Sequence, residues 1–298
     1  NIEGIILATP PEPRFELACQ ALHAKKHLLL EKPVALNAQE IKEIEKLSIS
    51  QNLTVAIDFE YRAVPLFMQT KRILEAQIIG KPWLIRFDWL MSSRANQERP
   101  WSWYSNKESG GGIIGALGTH AFDMLHWFFG EIKKVNGKLS TSIKNRPNTI
   151  SGKNYEVTSE DICLANIEMN NFKQELIPCQ VSLSSVSKGG RGFCLEVYGS
   201  EGSLFLTSNN QKDYVHGFNL TFVDRLNNVK VISADARFAF DKTWSDGRIA
   251  PVRFIHNLWS ESIKNKTPVI PGLHEGLQSH KVCEAIRYSS EAGIAVEL

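Results

Sequence analysis

The first sixty residues alternate between short apolar runs and longer amphipathic stretches, and this alternation limits the fold more than any other feature of the sequence. Three runs rich in apolar residues, at 1–8, 27–30 and 53–59, have the length of strands. Between them, apolar residues such as Phe15 and Leu22 recur at helical spacing. Strands joined through helices pair in parallel with right-handed crossovers, so this segment is predicted to form a parallel sheet covered on both faces.

The ends of these strands indicate where a binding site would lie. In open parallel sheets, ligands bind in the crevice outside the carboxyl ends of the strands. Those ends fall here at residues 8–11, 31–33 and 58–60. The first run is apolar almost throughout, which predicts a strand buried inside the sheet rather than one at its edge.

After residue 60 the pattern changes to one of strands with fewer helices. The predicted elements are a helix at 66–79, a strand at 83–90, an aromatic loop at 96–108, an apolar helix at 112–129, six strands between 162 and 232, and helices at 249–263 and 275–292. Short strands separated by turn residues, as at 199–202, are typical of antiparallel sheets. The predicted fold class is therefore α/β, with part of a doubly wound Rossmann domain in residues 1–60 and an α+β domain with a large, mostly antiparallel sheet in residues 61–298.

Charge and composition exclude several classes of protein. The 34 Lys and Arg residues nearly balance the 32 Asp and Glu residues, and a net charge of +2 gives no electrostatic basis for binding nucleic acid or an anionic membrane. No apolar run reaches the roughly 18 residues of a membrane-spanning helix, and the first residues do not form a signal peptide. We therefore expect a cytoplasmic protein that binds a small molecule.

The cysteines point in the same direction. All five are far apart and form no Cys-x-x-Cys pair, at positions Cys19, Cys163, Cys179, Cys194 and Cys283. This spacing indicates reduced, mostly buried thiols rather than disulfides, and it assigns no residue to a metal.

Lys32 is the first candidate for chemistry. It follows the second apolar run directly, so its amine is expected to reach the ligand crevice, and Pro33 restricts the backbone that carries it. An amine in that place can exchange a proton with a ligand. A solvated lysine just before a helix would have the same local sequence, so both interpretations stay open.

His120 is the second candidate. It lies in the apolar helix beside a stripe of glycines, Gly112, Gly115 and Gly118. Glycines let a flat ligand or another backbone approach closely, and a histidine can act as acid or base near neutral pH. A packed histidine beside glycines that serve helix contacts fits the sequence equally well. Asp123, one turn later, could orient the ring, but we expect it to have a structural role.

Other residues have weaker signals. The loop residues Trp101, Trp103 and Tyr104 could form a wall on which a sugar stacks, or they could cover the sheet. Arg62 could bind an anionic group or form a surface ion pair. Neither the dinucleotide motif G-x-G-x-x-G after a strand nor a P-loop occurs in the sequence.

Taken in order, five segments resemble the Gfo/Idh/MocA family of NAD(P)-dependent oxidoreductases, which is named for glucose-fructose oxidoreductase and inositol dehydrogenase. The matching segments are IILATPP at 5–11, HAKKHLLLEKP at 23–33, YRAVP at 61–65, GGGIIGALGTHAFD at 110–123 and VYGSEGSL at 197–204. Their order and spacing make the resemblance more specific than any single match, and together they span nearly the whole chain.

The resemblance implies a role for each matching residue. Lys32 would bind the substrate hydroxyl and His120 would take or give its proton while hydride moves to or from the nicotinamide. The Lys32–Pro33 bond would be cis. The residues expected to border NAD or NADP are Ala8, Thr9, Pro10, Pro11, Glu31, Lys32 and Pro33. Those expected to contact the substrate are Lys32, Arg62, Trp103, Thr119 and His120.

The sequence departs from the family pattern in two places. Many members carry an aspartate four residues before the histidine, where this sequence has Ala116. The family also begins with a strand and a glycine-rich loop that are not found here, so we expect the sequence to be truncated at its N-terminus and unable to bind a dinucleotide in the normal way.

These observations favour an oxidoreductase that transfers a hydride between NAD(P) and a carbinol of a sugar, polyol or related substrate. The alternative is a non-catalytic sensor or regulator of the same fold that binds dinucleotide or sugar, and Ala116 is the feature that favours it. A broad sheet face without helices usually packs against a partner, so we also expect a homodimer or homotetramer.

Overall fold

The small sheet at the start of the chain is parallel, as the alternating pattern predicts. The structure is a computed structural model that describes residues 2–170 and 175–298. Strands β1 (Gly4–Leu7), β2 (His27–Leu30) and β3 (Val55–Ile57) pair in that order, and helices α1 (Pro11–His23) and α2 (Ala38–Gln51) connect them.

Local signals in the sequence set the ends of α2. The side chain of Asn37 accepts a hydrogen bond from the backbone N–H of Glu40, and the Glu40 carboxylate accepts one from the N–H of Leu36. This reciprocal cap satisfies donors that a helix start leaves free. At the other end, Asn52 adopts a left-handed conformation with φ of 55°, which stops the helix.

The prediction of a buried first strand is wrong for the chain described here. Strand β1 pairs with β2 on one side and lies at the edge of the sheet. Ile6 is 48% exposed as a result. An uninterrupted apolar run indicates that both faces of a strand are buried. It does not indicate how many other strands pair with it.

The second part of the chain is built on a nine-stranded sheet. Its elements, in chain order, are α3 (Pro65–Glu75), β4 (Pro82–Leu90), a π-helical segment (Ile114–Gly118), α4 (Thr119–Phe129), β5 (Glu131–Ser140), β6 (Asn145–Pro147), β7 (Asn154–Glu156), β8 (Ile162–Asn170), β9 (Leu176–Ser184), β10 (Gly192–Gly199), β11 (Gly202–Ser208), β12 (Asn219–Asp224), β13 (Val229–Ile232), α5 (Ile249–Asn265), α6 (Leu273–Ala292) and β14 (Val296–Glu297). The sheet order is β13-β12-β11-β10-β4-β9-β8-β5-β14, and β4 and β9 pair in parallel within an otherwise antiparallel arrangement. The predicted fold class is confirmed.

Several predicted elements differ from the observed ones. Helix α3 ends at Glu75, because Gln77 and Gly80 adopt left-handed conformations with φ of 55° and 69°. The predicted apolar helix contains the π-helical turn that precedes α4. Strand β5 was not among the predicted strands, since its sequence EIKKVNGKLS is polar and charged.

The two C-terminal helices pack against the small sheet, and the second of them also reaches the large sheet. Ile255 and Trp259 of α5 pack with Leu29 and Ala56 on one face of the small sheet. Helix α6 begins on the other face, where its residue Leu277 joins the apolar cluster under α1 and α2. Further along α6, Val282 and Ile286 belong to the core of the large sheet. Helix α6 therefore shares its length between both cores.

Two further facts concern the described part of the chain. No helix in it is both long and apolar enough to cross a lipid bilayer. All five cysteines are unpaired, and four of them are buried, as the sequence predicts.

The contact of α6 with the small sheet can be tested at Gly276. A Cβ atom there would lie 2.8 Å from Cγ2 of Val34. We expect Gly276→Val to lower the free energy of unfolding by about 1–3 kcal/mol through overpacking, measured by urea denaturation. The control Ala292→Val places the same side chain at an exposed position of the same helix. It should lower the free energy of unfolding by only a few tenths of a kcal/mol. Equal losses for the two variants would contradict this account of the contact.

Candidate active site

Lys32 lies where the two sheets meet. It follows β2, and the Lys32–Pro33 peptide bond is cis, as the resemblance implies. Its Nζ donates a hydrogen bond of 3.1 Å to the carbonyl oxygen of Ala116 in the π-helical segment. An ammonium group has three donors, so this contact leaves two for a ligand. The side chain thus joins the end of the small sheet to the segment that leads into α4.

Arg14 organises the strand ends around Lys32. It projects from the first turn of α1 and is 2% exposed. Its Nη1 donates to the carbonyl oxygens of Glu31, at 2.5 Å, and of Pro33, and its Nη2 donates to the carbonyl oxygen of Thr9. Burial lowers the pKa of Arg14 to about 10, so the guanidinium stays charged at neutral pH. One side chain therefore fixes the backbone at the ends of β1 and β2.

His120 is the second residue of α4 and is almost completely buried, with 3% of its surface exposed. Its ring is surrounded by aromatic side chains, with ring centroids 5.9 Å away for Phe59, 5.0 Å for Tyr61 and 6.4 Å for Trp89. Burial, reinforced by the charge of Lys32, lowers the pKa of His120 well below its usual range. The imidazole is therefore neutral at pH 7 and can accept a proton.

Two carboxyl groups follow β3 beside these residues. Oε1 of Glu60 lies 3.8 Å from Nε2 of His120, and the Glu60 side chain is 14% exposed. Burial raises the pKa of Glu60 to about 7, with a smaller opposing effect of Lys32. Burial also raises the pKa of Asp58 to about 8, and the negative charges of Glu60 and Glu31 add to this effect.

The ends of β1 and β2 carry the residues that the resemblance assigns to the dinucleotide. The hydroxyl oxygen of Thr9 is buried and has no hydrogen-bond partner in the described part of the chain, so it is available to a ligand. Ala8 and Pro10 on either side are exposed, small and uncharged, while Pro11 is buried in the first turn of α1. The carboxylate of Glu31 already has a partner within the protein, because it accepts a hydrogen bond of 3.1 Å from the backbone N–H of Lys32.

The glycine run serves the protein's own packing. Gly112 has φ of 98°, and a Cβ atom there would lie 2.5 Å from Oε1 of Glu160. That buried carboxylate accepts hydrogen bonds from the N–H of Ile114 and from Arg287. A Cβ atom at Gly115 would lie 2.7 Å from the carbonyl oxygen of Gly110. Of the two interpretations of these glycines, the structure therefore supports close approach of another backbone.

Arg62 is already bound within the protein. Its Nε and Nη2 donate to both carboxylate oxygens of Asp123, at 2.9 and 2.6 Å; the Asp123 side chain is buried and that of Arg62 is 10% exposed. This bidentate pair ties the turn after β3 to α4, one helical turn beyond His120. Asp123 has the structural role that we expected. The pair also borders a separate cavity of about 570 Å³ that His126 and His274 help to line.

In the sequence, Trp103 precedes and Thr119 follows the glycines Gly112, Gly115 and Gly118. The hydroxyl of Thr119 is buried and donates to the carbonyl oxygen of Gly115 at 2.9 Å. Trp103 is 36% exposed on a short 3-10 turn next to Tyr104, whose carbonyl oxygen accepts from the N–H of Gly112. Contact of either residue with substrate stays a prediction.

Arg14, Glu60 and Asp58 belong to the site but were not predicted as site residues. A signal for Arg14 was present, because it shares the buried stripe of α1 with Ala18 and Ala21 at spacings of four and seven. Glu60 and Asp58 lie in a segment that was identified as a strand end, but no local pattern shows that their carboxylates are buried.

The comparisons with known proteins identify the class to which this fold belongs, an oxidoreductase family with an NAD-binding Rossmann domain. Residues 1–59 match the sequence model of an oxidoreductase family's NAD-binding Rossmann fold, and residues 71–298 match that of the same family's C-terminal alpha/beta domain. The chain belongs to the Gfo/Idh/MocA family of oxidoreductases.

Individual relatives are also similar. An uncharacterised oxidoreductase of Synechocystis sp. is 38% identical over 98% of this chain and 78% of its own length. The levoglucosan dehydrogenase of Pseudarthrobacter phenanthrenivorans is 28% identical over 68% of this chain and 55% of its own length. Among solved structures, a levoglucosan dehydrogenase in complex with NADH and levoglucosan has a TM-score of 0.85 at 22% identity, covering 99% of this chain and 80% of that one. This last likeness shows the fold.

The role of Arg14 can be tested by its removal. We expect Arg14→Met to lower the free energy of unfolding by about 3 kcal/mol, because three carbonyl oxygens lose a charged donor in a buried place. The measurement is urea denaturation followed by circular dichroism. The control is Arg72→Met, which removes an ion pair between Asp235 and an arginine side chain that is 51% exposed, and it should cost less than about 1 kcal/mol. A loss at Arg14 no larger than that at Arg72 would contradict the assignment.

Proposed function

We propose that this protein is an NAD(P)-dependent dehydrogenase that acts on a carbinol of a sugar, polyol or related compound. The observation that carries the proposal is the approach of a cationic amine and a neutral, buried imidazole at the carboxyl ends of the parallel strands. Lys32 and His120 are the two groups, and burial, reinforced by the charge of Lys32, lowers the pKa of His120. Parallel sheets of this kind bind their ligands at that edge.

Lys32 supplies the positive charge. When a carbinol is oxidised, negative charge develops on its oxygen as the proton leaves, and an ammonium group next to that oxygen stabilises the charge in a site without water. The two free donors of Lys32 suit this task. Its bond to the Ala116 carbonyl holds the amine in place before substrate arrives.

His120 supplies the base. Its ring is neutral because aromatic side chains exclude water from it, and a neutral imidazole accepts the hydroxyl proton directly. The reverse reaction requires the protonated ring, which returns the proton to the carbonyl oxygen. When bound, an oxidised nicotinamide supplies the hydride acceptor. Ala8, Thr9, Pro10, Pro11, Glu31, Lys32 and Pro33 border the position proposed for it.

The substrate class follows from the relatives. Levoglucosan dehydrogenase, D-xylose dehydrogenase and glucose-6-phosphate 3-dehydrogenase are among the named proteins to which the chain is similar. Each name refers to a sugar, and Trp103 offers a half-exposed aromatic ring on which a sugar could stack. Thr119 and Arg62 support this site by fixing the helix that carries His120.

The proposal is tested by turnover in the full-length protein. We expect Lys32→Met and His120→Asn each to lower kcat for oxidation of a sugar or polyol roughly 10²- to 10⁴-fold, measured by the absorbance of reduced nicotinamide against a panel of such compounds. The matched controls Lys42→Met and His216→Asn change exposed residues of the same types and should keep the wild-type rate.

Two outcomes would contradict the proposal. If Lys32→Met and His120→Asn kept the rate of the wild type, the reaction would proceed elsewhere on the protein. If the wild type bound the dinucleotide tightly but turned over no compound of the panel, it would be the sensor or regulator that Ala116 favours.

We further propose that the protein works in the cytoplasm as a homodimer or homotetramer. The free thiols are consistent with a reducing compartment. The helices cover one face of the large sheet, while the other face exposes apolar side chains such as Leu84, at 37%, and Leu164, at 52%. A second copy of the same face would cover them.

The assembly can be tested by sedimentation velocity. We expect Leu164→Lys to convert the assembly to smaller species, because it places a charge on the outer sheet face. The control Ile49→Lys changes a residue that is 73% exposed on α2 and should not alter the sedimentation coefficient. A wild type that sediments as a monomer would refute the proposed dimer.

A further inference from the structure

We propose that Glu60 is the proton relay of His120: it accepts the proton that Nε2 of His120 has taken from the substrate and releases it to solvent. This inference rests on the proposed dehydrogenase function, and it assigns to Glu60 a role that the sequence does not indicate.

The position of Glu60 next to the enclosed ring of His120 supports this inference. His120 is enclosed by Phe59, Tyr61 and Trp89, and its Nδ1 has no hydrogen-bond partner among the residues that the structure describes. Oε1 of Glu60 is 3.8 Å from Nε2. This distance is too long for a hydrogen bond, but an approach of about 1 Å would form one. A proton that arrives on the buried ring can therefore leave through Glu60.

The surroundings of Glu60 also support the inference. Its side chain is 14% exposed, whereas that of His120 is 3% exposed, so the carboxyl group has the greater access to water of the two. Ala116 has no group that can hold a proton, and its carbonyl oxygen already accepts from Lys32. Among the described side chains next to His120, Glu60 is the carboxyl group that lies within 4 Å of the ring nitrogen.

The charges around Glu60 make it suitable for this task. Burial raises its pKa to about 7, so it gains and loses a proton in the neutral range, where His120 itself stays neutral. The positive charge of Lys32 partly opposes this rise. The ionisable groups that influence Glu60, or are influenced by it, are Glu31, Lys32, Asp58, Tyr61, Asp123 and Tyr214.

The proton balance of the oxidation is then complete. The carbinol O–H bond breaks and its proton binds Nε2 of His120, while the carbon-bound hydrogen leaves with two electrons as the hydride of the proposed reaction and a C=O bond forms. The N–H bond on His120 breaks in turn, and the proton binds the Glu60 carboxylate. The resulting carboxylic acid releases it to water. Oxidation therefore requires ionised Glu60 and is favoured above about pH 7, whereas reduction requires the protonated form.

The test that does not depend on turnover is a proton NMR titration of the full-length protein without cofactor. The Cε1–H signal of His120, assigned with the His120→Asn variant, should shift with a midpoint near pH 7 as Glu60 ionises beside it. The shift should vanish in Glu60→Gln, which keeps the size of the side chain. It should persist in Asp58→Asn, which removes the other buried carboxyl group, and in Glu16→Gln on the exposed face of α1.

The second readout is the pH profile of kcat/KM for oxidation. In the wild type it should rise through about pH 7 and level off, and in Glu60→Gln it should be flat and roughly 10²-fold lower at pH 8. A wild-type His120 signal that does not shift near pH 7 would overturn the inference, even if Glu60→Gln failed to fold. So would a Glu60→Gln enzyme with the wild-type pH profile. Absence of any turnover in the wild type would refute the dehydrogenase instead, and the titration would still decide the coupling of Glu60 to His120.

Discussion

Helix α6 packs against both sheets, and the position of the site depends on that contact. Its first turns lie in the apolar cluster under the small sheet, and its later turns belong to the core of the large sheet. This arrangement fixes the end of β2, which carries Lys32, against the π-helical segment and α4, which carry Ala116 and His120. Lys32 belongs to the part of the chain with the small sheet and His120 to the part with the large sheet. The proposed proton transfer therefore depends on how these two parts pack together.

Burial sets the pKa values of the ionisable groups in the site. Three aromatic rings keep water from His120 and leave it neutral, while the same dry surroundings raise the pKa values of Glu60 and Asp58. Arg14 stays charged in the same surroundings, because its guanidinium donates hydrogen bonds to carbonyl oxygens at the strand ends. Groups that would be fully ionised or fully solvated on a surface are thereby brought into the range where protons can move near neutral pH.

The sequence predicted the parts of the fold that depend on periodicity. The parallel order of three strands, the large antiparallel sheet and the approach of Lys32 and His120 to one region were accessible from apolar spacing and from the family resemblance. The polar strand β5 was not, since its pairing depends on neighbours distant in sequence. Glu60 was missed for the same reason, because only the docked fold shows that its carboxyl group is buried beside an imidazole.

The most direct test of this account is a crystal structure of the full-length protein with dinucleotide and a polyol or sugar bound. The account predicts that a carbinol oxygen of the ligand lies within about 2.6–3.2 Å of both Nζ of Lys32 and Nε2 of His120. A sugar bound instead in the cavity beside Arg62 and His274, with His120 out of reach of the ligand, would contradict it.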